Sequence, residues 1–366
     1  MKTVGLEHRT TSYGDVLSSF LSSVPFKTWL FIVTVLAITL PVVLLADDER
    51  GGHSVTQRET PSFRAEVMVY HAGSLNAVIR EDIGPRFTTA TGVPVRSIGG
   101  PSVELANQIR GRQIHPDVFM SADAEVNQVL MEPENSAVAP WYFTMCRQRM
   151  VIAYSPLSRF KADFEAAAAG TKPWYEVLQV PGLVFKRSDP RNDPGGYRVV
   201  FLFQLAERYY KLPGLKDRIL QGDDNDEQIV HGDYASLVKI GPADAVVTYI
   251  TQALFHGLPY ISLPDELDQS NPTMKEMYAT AHYTNPQGQT FRGTPAVYSV
   301  TIPKTARNQE GAEAFIRYLL SEPGRTALLR RGFSPIDVLV GGDEAAVPQS
   351  LRHLIQGPYA LRSPIG

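Results

Sequence analysis

Residues 65–74 read Ala-Glu-Val-Met-Val-Tyr-His-Ala-Gly-Ser, residues 99–102 read Gly-Gly-Pro-Ser, and residues 117–123 read Asp-Val-Phe-Met-Ser-Ala-Asp. Each quotation ends, or sits, at the same kind of junction. Ala65–His71 is a short β-rich run followed by Ala72-Gly73-Ser74 and a helical stretch from Leu75 to about Thr91, closed by Gly92. Val93–Ile98 is a second strand, and Ser102 opens a helix through VELANQIRGR. Asp117–Met120 is a third strand, ending in Ser121-Ala122-Asp123 before another helix. Strand, small-residue turn with a serine, then helix, three times over, predicts a parallel sheet with crossover helices, whose ligands lie at the carboxyl ends of the strands. Ser74, Ser102 and Ser121 all fall at those ends. A serine at a helix start is ordinarily an N-cap, and the same hydroxyl can also donate to an oxyanion, so the two readings are compatible.

Further along, Met150–Tyr154 (MVIAY), Asp244–Ile250 (DAVVTYI), Pro259–Leu263 and Ala296–Ile302 (AVYSVTI) read as strands. Asn308–Ser321 and Gly324–Arg331 read as amphipathic helices; residues 265–290 read as irregular, and the end of the chain as loop with a short helix. The loop Arg187–Arg198 stands out. Its two Asp-Pro steps and Gly pair make a tight turn into a helix reaching Tyr210. Amides and a helix dipole there would attract an anion, whereas Asp189 and Asp193 would repel one. The acidic run at 222–227 has neither the spacing nor the glycine of a calcium loop.

The chain has 366 residues, 43% hydrophobic and 20% charged, with a net charge of −3. That is ordinary for globular domains and gives no footprint for nucleic acid, since no basic patch is interleaved with aromatics. Residues 28–46 carry no charge, about 28 Å as a helix, enough to cross a bilayer's hydrocarbon core. Lys27 precedes the span and Asp47, Asp48 and Glu49 follow it, placing residues 1–27 in the cytoplasm and the globular part outside. The span is a membrane anchor or a long signal segment; its length and the poor Leu44-Leu45-Ala46 cleavage site favour the anchor. Residues 47–62 read as a polar linker. Cys146 is the only cysteine, which leaves an exported fold to rely on its core rather than on an intramolecular disulfide.

Several motifs together resemble the tungstate/molybdate-binding proteins of ABC importers. They are Tyr-His-Ala-Gly-Ser-Leu at 70–75, Gly-Pro-Ser at 100–102, Asp-Val-Phe-Met-Ser-Ala-Asp at 117–123, the loop 187–198 with the Gln-Leu-Ala-Glu-Arg-Tyr-Tyr that begins at Gln204, and Val-Tyr-Ser-Val-Thr-Ile-Pro from Val297. The resemblance covers about residues 66–337, in order. It implies an α/β protein of the type II periplasmic-binding-protein fold: two α/β lobes around a ligand cleft, joined by two crossing strands near Met150–Tyr154 and Ala296–Ile302. Lobe one is then 63–152 with 296–366, and lobe two 153–295. By the same resemblance Ser74 and Ser102 bind the oxyanion, Tyr249 donates its hydroxyl, and Asp193 contacts the metal, Mo or W, of the bound ion. The family's second carboxylate, before the tyrosine, is here Thr248, and its cysteine is here Gly195. A threonine can donate to an oxo group but supplies no anionic oxygen.

The expected function is therefore an exported solute-binding protein, not an enzyme, at the periplasmic or extracellular face. It would capture tungstate or molybdate for an ABC permease as a monomer, need no cofactor, and be tethered through residues 28–46. An oxyanion sensor, or a binding protein for sulfate or another oxyanion, is the alternative. A serine hydrolase is disfavoured, because neither Ser74 nor Ser102 sits in Gly-x-Ser-x-Gly, the eight histidines are scattered, and no metal motif is present.

Overall fold

A computed structural model of the chain describes residues 65–131 and 137–359. The apolar span 28–46, the region before it and the linker 47–62 lie outside the described residues. Among the described residues no helix is long and apolar enough to cross a membrane.

Strands β1 (Val67–Ala72), β2 (Val95–Gly100) and β3 (Val118–Ser121) are mutually parallel, in the spatial order β3-β1-β2. That is the arrangement the repeated strand-turn-helix pattern demands, because parallel neighbours need a crossover between them. Helices α1 (Gly84–Thr91) and α2 (Ser102–Arg110) belong to these connections. The sheet continues through β4 (Trp141–Arg147), after which the chain leaves for a second sheet. That second sheet has the order β6-β7-β5-β8, made of β5 (Met150–Tyr154), β6 (Phe185–Lys186), β7 (Ala245–Tyr249) and β8 (Tyr260–Ser262). A hairpin of β9 (His282–Thr284) and β10 (Thr290–Arg292) precedes the return. Strand β11 (Val297–Thr301) then inserts antiparallel between β3 and β4 in the first sheet.

The chain thus forms two α/β lobes, each around its own sheet. The outward passage falls at Gln148–Arg149 rather than inside Met150–Tyr154. All of β5 pairs with β7 and β8, so residues 150–152 belong with the second sheet. The physical reason is register: Met150, the first residue of β5, already faces Tyr249 across an antiparallel ladder. At the crossing the two connecting segments touch, the Gln148 N–H donating to the Ala296 carbonyl at 3.0 Å.

Other expectations also shift. The helical stretch from Leu75 is broken into a 3-10 turn at Gly73–Leu75, a π-turn at Val78–Ile83, and α1. Pro85 has no N–H to continue the ladder, and the Gly84 N–H reaches back to the Ile79 carbonyl, five residues away, so the turn widens. Residues 265–290 hold short helices as well as the β9–β10 hairpin. The chain's end adds β12 (Ser334–Pro335), β13 (Leu339–Gly342) and β14 (Gly357–Pro358) to the first sheet beside β4. Strands of two to four residues are too short for an alternation to be read.

The core of lobe one is closed by α6 (Gln309–Leu320). Its Ala312, Phe315, Ile316 and Leu319 are fully buried at helical spacing. Phe87 meets Phe315 edge-on at 5.4 Å.

Candidate functional site

The site is built around the loop 187–193 and the helix it feeds, α3 (Pro194–Tyr210). Asp193 is the N-cap: one carboxylate oxygen accepts the Gly195 N–H at 3.0 Å, and the Ser188 hydroxyl donates to the other. Pro194 at the first helical position needs no partner for an N–H it lacks. Gly196 packs so closely on the Asp189–Pro190 backbone that any Cβ would collide with it. Asp189 accepts both the backbone N–H (3.0 Å) and the guanidinium (2.8 Å) of Arg191. Buried Arg187 donates to the carbonyls of Gly222 and Asp223. The loop is therefore fixed from several sides.

One turn into the helix, fully buried Arg198 reaches across to lobe one. Its guanidinium donates to Asp123 at 2.6 Å and to the Thr294 carbonyl at 2.7 Å. The Tyr197 hydroxyl donates to the same Asp123 oxygen at 2.9 Å. Asp123 follows β3, and Thr294 lies in the return between the sheets, so this cluster sits where the lobes meet.

A cleft of about 190 Å³ opens between the lobes. Lobe one contributes the turns after β1 and β2, Ala72, Gly73, Ser74, Asn76 and Ala77 with Gly99–Pro101. Lobe two contributes the loop 188–193, residues 230–234, and Tyr249, Gln252 and His256. Strand carboxyl ends thus form the rim, as the parallel pattern predicts. Three of the residues singled out from sequence line it: Ser74, Asp193 and Tyr249. Three do not. The Ser102 hydroxyl is buried and accepts the Ala122 N–H at 3.2 Å. Gly195 lies behind Asp193. Thr248 is buried, its hydroxyl paired at 3.1 Å with that of Tyr234.

None of the three rim serines acts as an N-cap. Ser74 pairs with the Tyr298 hydroxyl at 2.8 Å, and Ser121 donates to the Asp123 carbonyl at 2.8 Å. Of the three helix starts that follow these strands, only the one after β3 has a side-chain cap, from Asp123; those led by Ala72 and Pro101 have none. His71, near Ser74, is fully buried, bonded through Nδ1 to the Ala72 carbonyl at 2.9 Å, and burial lowers its pKa to about 4. It is a strand-end residue whose hydrogen bond goes to Ala72, while the Ser74 hydroxyl pairs with Tyr298.

The most telling atom is the Tyr249 hydroxyl. Its residue is 2% exposed and lines the cleft, and the hydroxyl has no hydrogen-bond partner. Burial pushes its pKa well up, so it remains a proton donor. A buried, unpaired hydroxyl costs roughly 1–3 kcal/mol, which a ligand oxygen would recover. Burial likewise raises the Asp193 carboxyl, against the opposing pull of Ser188 and Gly195. Among the described residues, no lysine or arginine lines the cleft. Backbone amides and helix ends supply positive potential there.

Sequence reading missed Tyr234, Asn192 and the pair Asp233–His256, whose ring nitrogen and carboxylate lie 3.1 Å apart. Tyr234 opens α4 (Tyr234–Ile240), and Tyr249 is followed directly by α5 (Ile250–His256). Their convergence depends on how α4 packs on β7, which no local pattern reports.

The sequence matches the family described as bacterial extracellular solute-binding protein over residues 67–334. It is 30% identical over 298 residues to an uncharacterized solute-binding protein of Petrotoga mobilis, covering 80% of this chain and 90% of that one. It is 26% identical over 346 residues to the molybdate/tungstate-binding protein WtpA of Thermococcus kodakarensis, covering 86% and 95%. Among solved structures, the periplasmic molybdate-binding protein of Azotobacter vinelandii matches with a TM-score of 0.52 at 18% identity, over 73% of this chain and 98% of that one. At that identity the likeness shows a shared fold.

Proposed function

The chain belongs to the bacterial extracellular solute-binding protein family, and from that premise we propose that it captures tungstate or molybdate in the interlobe cleft and delivers the ion to an ABC permease. The observation that carries this reading is the unpaired Tyr249 hydroxyl buried in the cleft wall. Identity to the molybdate/tungstate-binding WtpA of Thermococcus kodakarensis supports the choice of oxyanion.

In this reading Ser74 of lobe one and Tyr249 of lobe two donate to oxo groups from opposite sides. Asp193 presents the one carboxylate that contacts Mo or W, aligned by Gly195 and Ser188. Ser102 and Thr248 act from behind the wall: Ser102 fixes the Ala122 amide, and Thr248 orients Tyr234. Neutral donors and fixed dipoles replace the ion's hydration shell, as at other anion sites without a lysine. The role is binding, not catalysis, with the globular part outside the cytoplasm and residues 28–46 as anchor or signal segment.

Calorimetric titration of residues 62–366, which form one compact unit, with tungstate, molybdate and sulfate tests the reading. Submicromolar binding of the first two is expected; binding of none tighter than millimolar contradicts it. Loss of import in a deletion strain, together with capture of a permease by the protein, would distinguish transport from sensing.

A further inference from the structure

The two lobes are hydrogen-bonded to each other across the cleft through the main chain of one residue. The Asn192 carbonyl, in the lobe-two loop, accepts the N–H groups of Val103 (3.0 Å) and Glu104 (3.3 Å) of lobe one. These amides belong to the first turn of α2, where the helix supplies no internal acceptor; its own ladder begins with the Leu105 N–H donating to the Pro101 carbonyl at 2.9 Å. The positive end of α2 is thus occupied by a carbonyl from the opposite lobe.

The side chain of the same residue lines the ligand cleft, and its carboxamide oxygen is buried without a partner. The two ends of an asparagine amide exchange places by a simple flip, so the NH₂ group can occupy that position and donate to an oxyanion. The loop carrying Asn192 is stiff. The Asp193 N–H is held by the Asp189 carbonyl at 3.0 Å, and Arg191 spans from Asp189 to Asp226 at 2.8 Å on each side. Asn192 therefore does not move without the loop, and the loop does not move without Asp193.

We propose that Asn192 couples ligand occupancy to lobe closure: its carbonyl latches the first turn of α2 while its carboxamide meets the bound ligand. Bound ligand then favours the latched arrangement, and the latch in turn holds the ligand contact in place. This positioning role rests on the cleft being the ligand site, as proposed above, but the latch itself can be read without ligand.

The test compares Glu104→Pro with Glu104→Ala in the full chain. Glu104 is exposed, and its side chain accepts a bond from Gln108. Both variants lose that bond, and only the proline also removes one of the two latching N–H groups, that of Glu104. Proline is tolerated in a first helical turn. Spin labels at Arg86→Cys and Lys239→Cys, exposed positions on the two lobes, report the interlobe distance, with native Cys146 buried and unreactive. In ligand-free protein, Glu104→Pro is expected to shift the distance distribution outward relative to Glu104→Ala. Tungstate should leave it about fivefold faster, the effect of losing one hydrogen bond. Asn192→Ala keeps the ligand-free distances and weakens tungstate binding.

Identical distances and identical release rates for the two Glu104 variants overturn the latch. If wild-type protein binds no tungstate, the functional reading fails, and the ligand-free distances alone decide the latch. Should Glu104→Pro not fold, amide exchange at Val103 and Glu104 in the wild type decides: slowing by tungstate supports the coupling, and equal exchange with and without it overturns it.

Discussion

At Tyr249 a single oxygen separates a structural tyrosine from a binding one. The ring packs edge-on at 5.7 Å against Tyr298, whose own hydroxyl is paired with Ser74. Replacing Tyr249 with phenylalanine keeps that packing and removes an unsatisfied buried group, so thermal stability is expected to be unchanged or slightly raised. Affinity for tungstate should fall about tenfold, measured by calorimetry. A stability loss with unchanged affinity would show that the hydroxyl serves the fold alone. Asp193 carries a second prediction. Asp193→Asn keeps an N-cap acceptor but removes the anionic oxygen. Tungstate and molybdate affinity should fall more than sulfate affinity, because only Mo and W can add a ligand. Equal or improved affinity for all would leave Asp193 as a cap. From Asp-Pro-Gly-Gly alone Asp193 was legible as a turn residue, and only the family resemblance made it a candidate ligand. Which face of the carboxylate remains free was not legible, since that depends on Ser188, five residues upstream across a folded turn.

At the level of elements, α3 is bound to lobe one through Arg198 and Asp123, both buried. Removing one member strands the other charge in the interior, so Arg198→Met should cost about 3–5 kcal/mol, read from chemical unfolding. A loss below about 1 kcal/mol would show that the pair is replaceable by packing. A pH effect belongs to the turn around Asp268, whose carboxyl is 4% exposed and accepts the backbone N–H and the hydroxyl of Ser270. Burial raises its pKa from 3.8 to about 6. Folded protein then holds a proton the unfolded chain has already released, so its contribution lowers stability as pH climbs from 3.8 to about 6. Asp268→Asn should flatten the stability profile across that interval, and an unchanged slope would contradict the assignment. The elements themselves were largely readable: β1, β2 and β3 from apolar runs, and α3 and α6 from their amphipathic periodicity. The roles of Ser102 and Thr248 were not. Both hydroxyls are claimed by neighbours that local sequence does not reveal, the Ala122 amide and Tyr234.

For the whole molecule, the strand-turn-serine-helix repeat gave the parallel order of lobe one, because that topology follows from crossover connections. The exact passage between lobes did not follow, since Gln148 and Arg149 differ little in pattern from the strands on either side. Short strands at the chain's end escaped for want of a period. What binds the two halves into one account is the claim that an oxyanion sits between Ser74 and Tyr249. Anomalous diffraction at a tungsten absorption edge from crystals of the tungstate-loaded protein tests this most directly. The account predicts one strong tungsten peak in the interlobe cleft, with the Ser74 and Tyr249 hydroxyls at hydrogen-bond distance from its oxygens. A peak elsewhere, or none in the cleft at saturating tungstate, would contradict it.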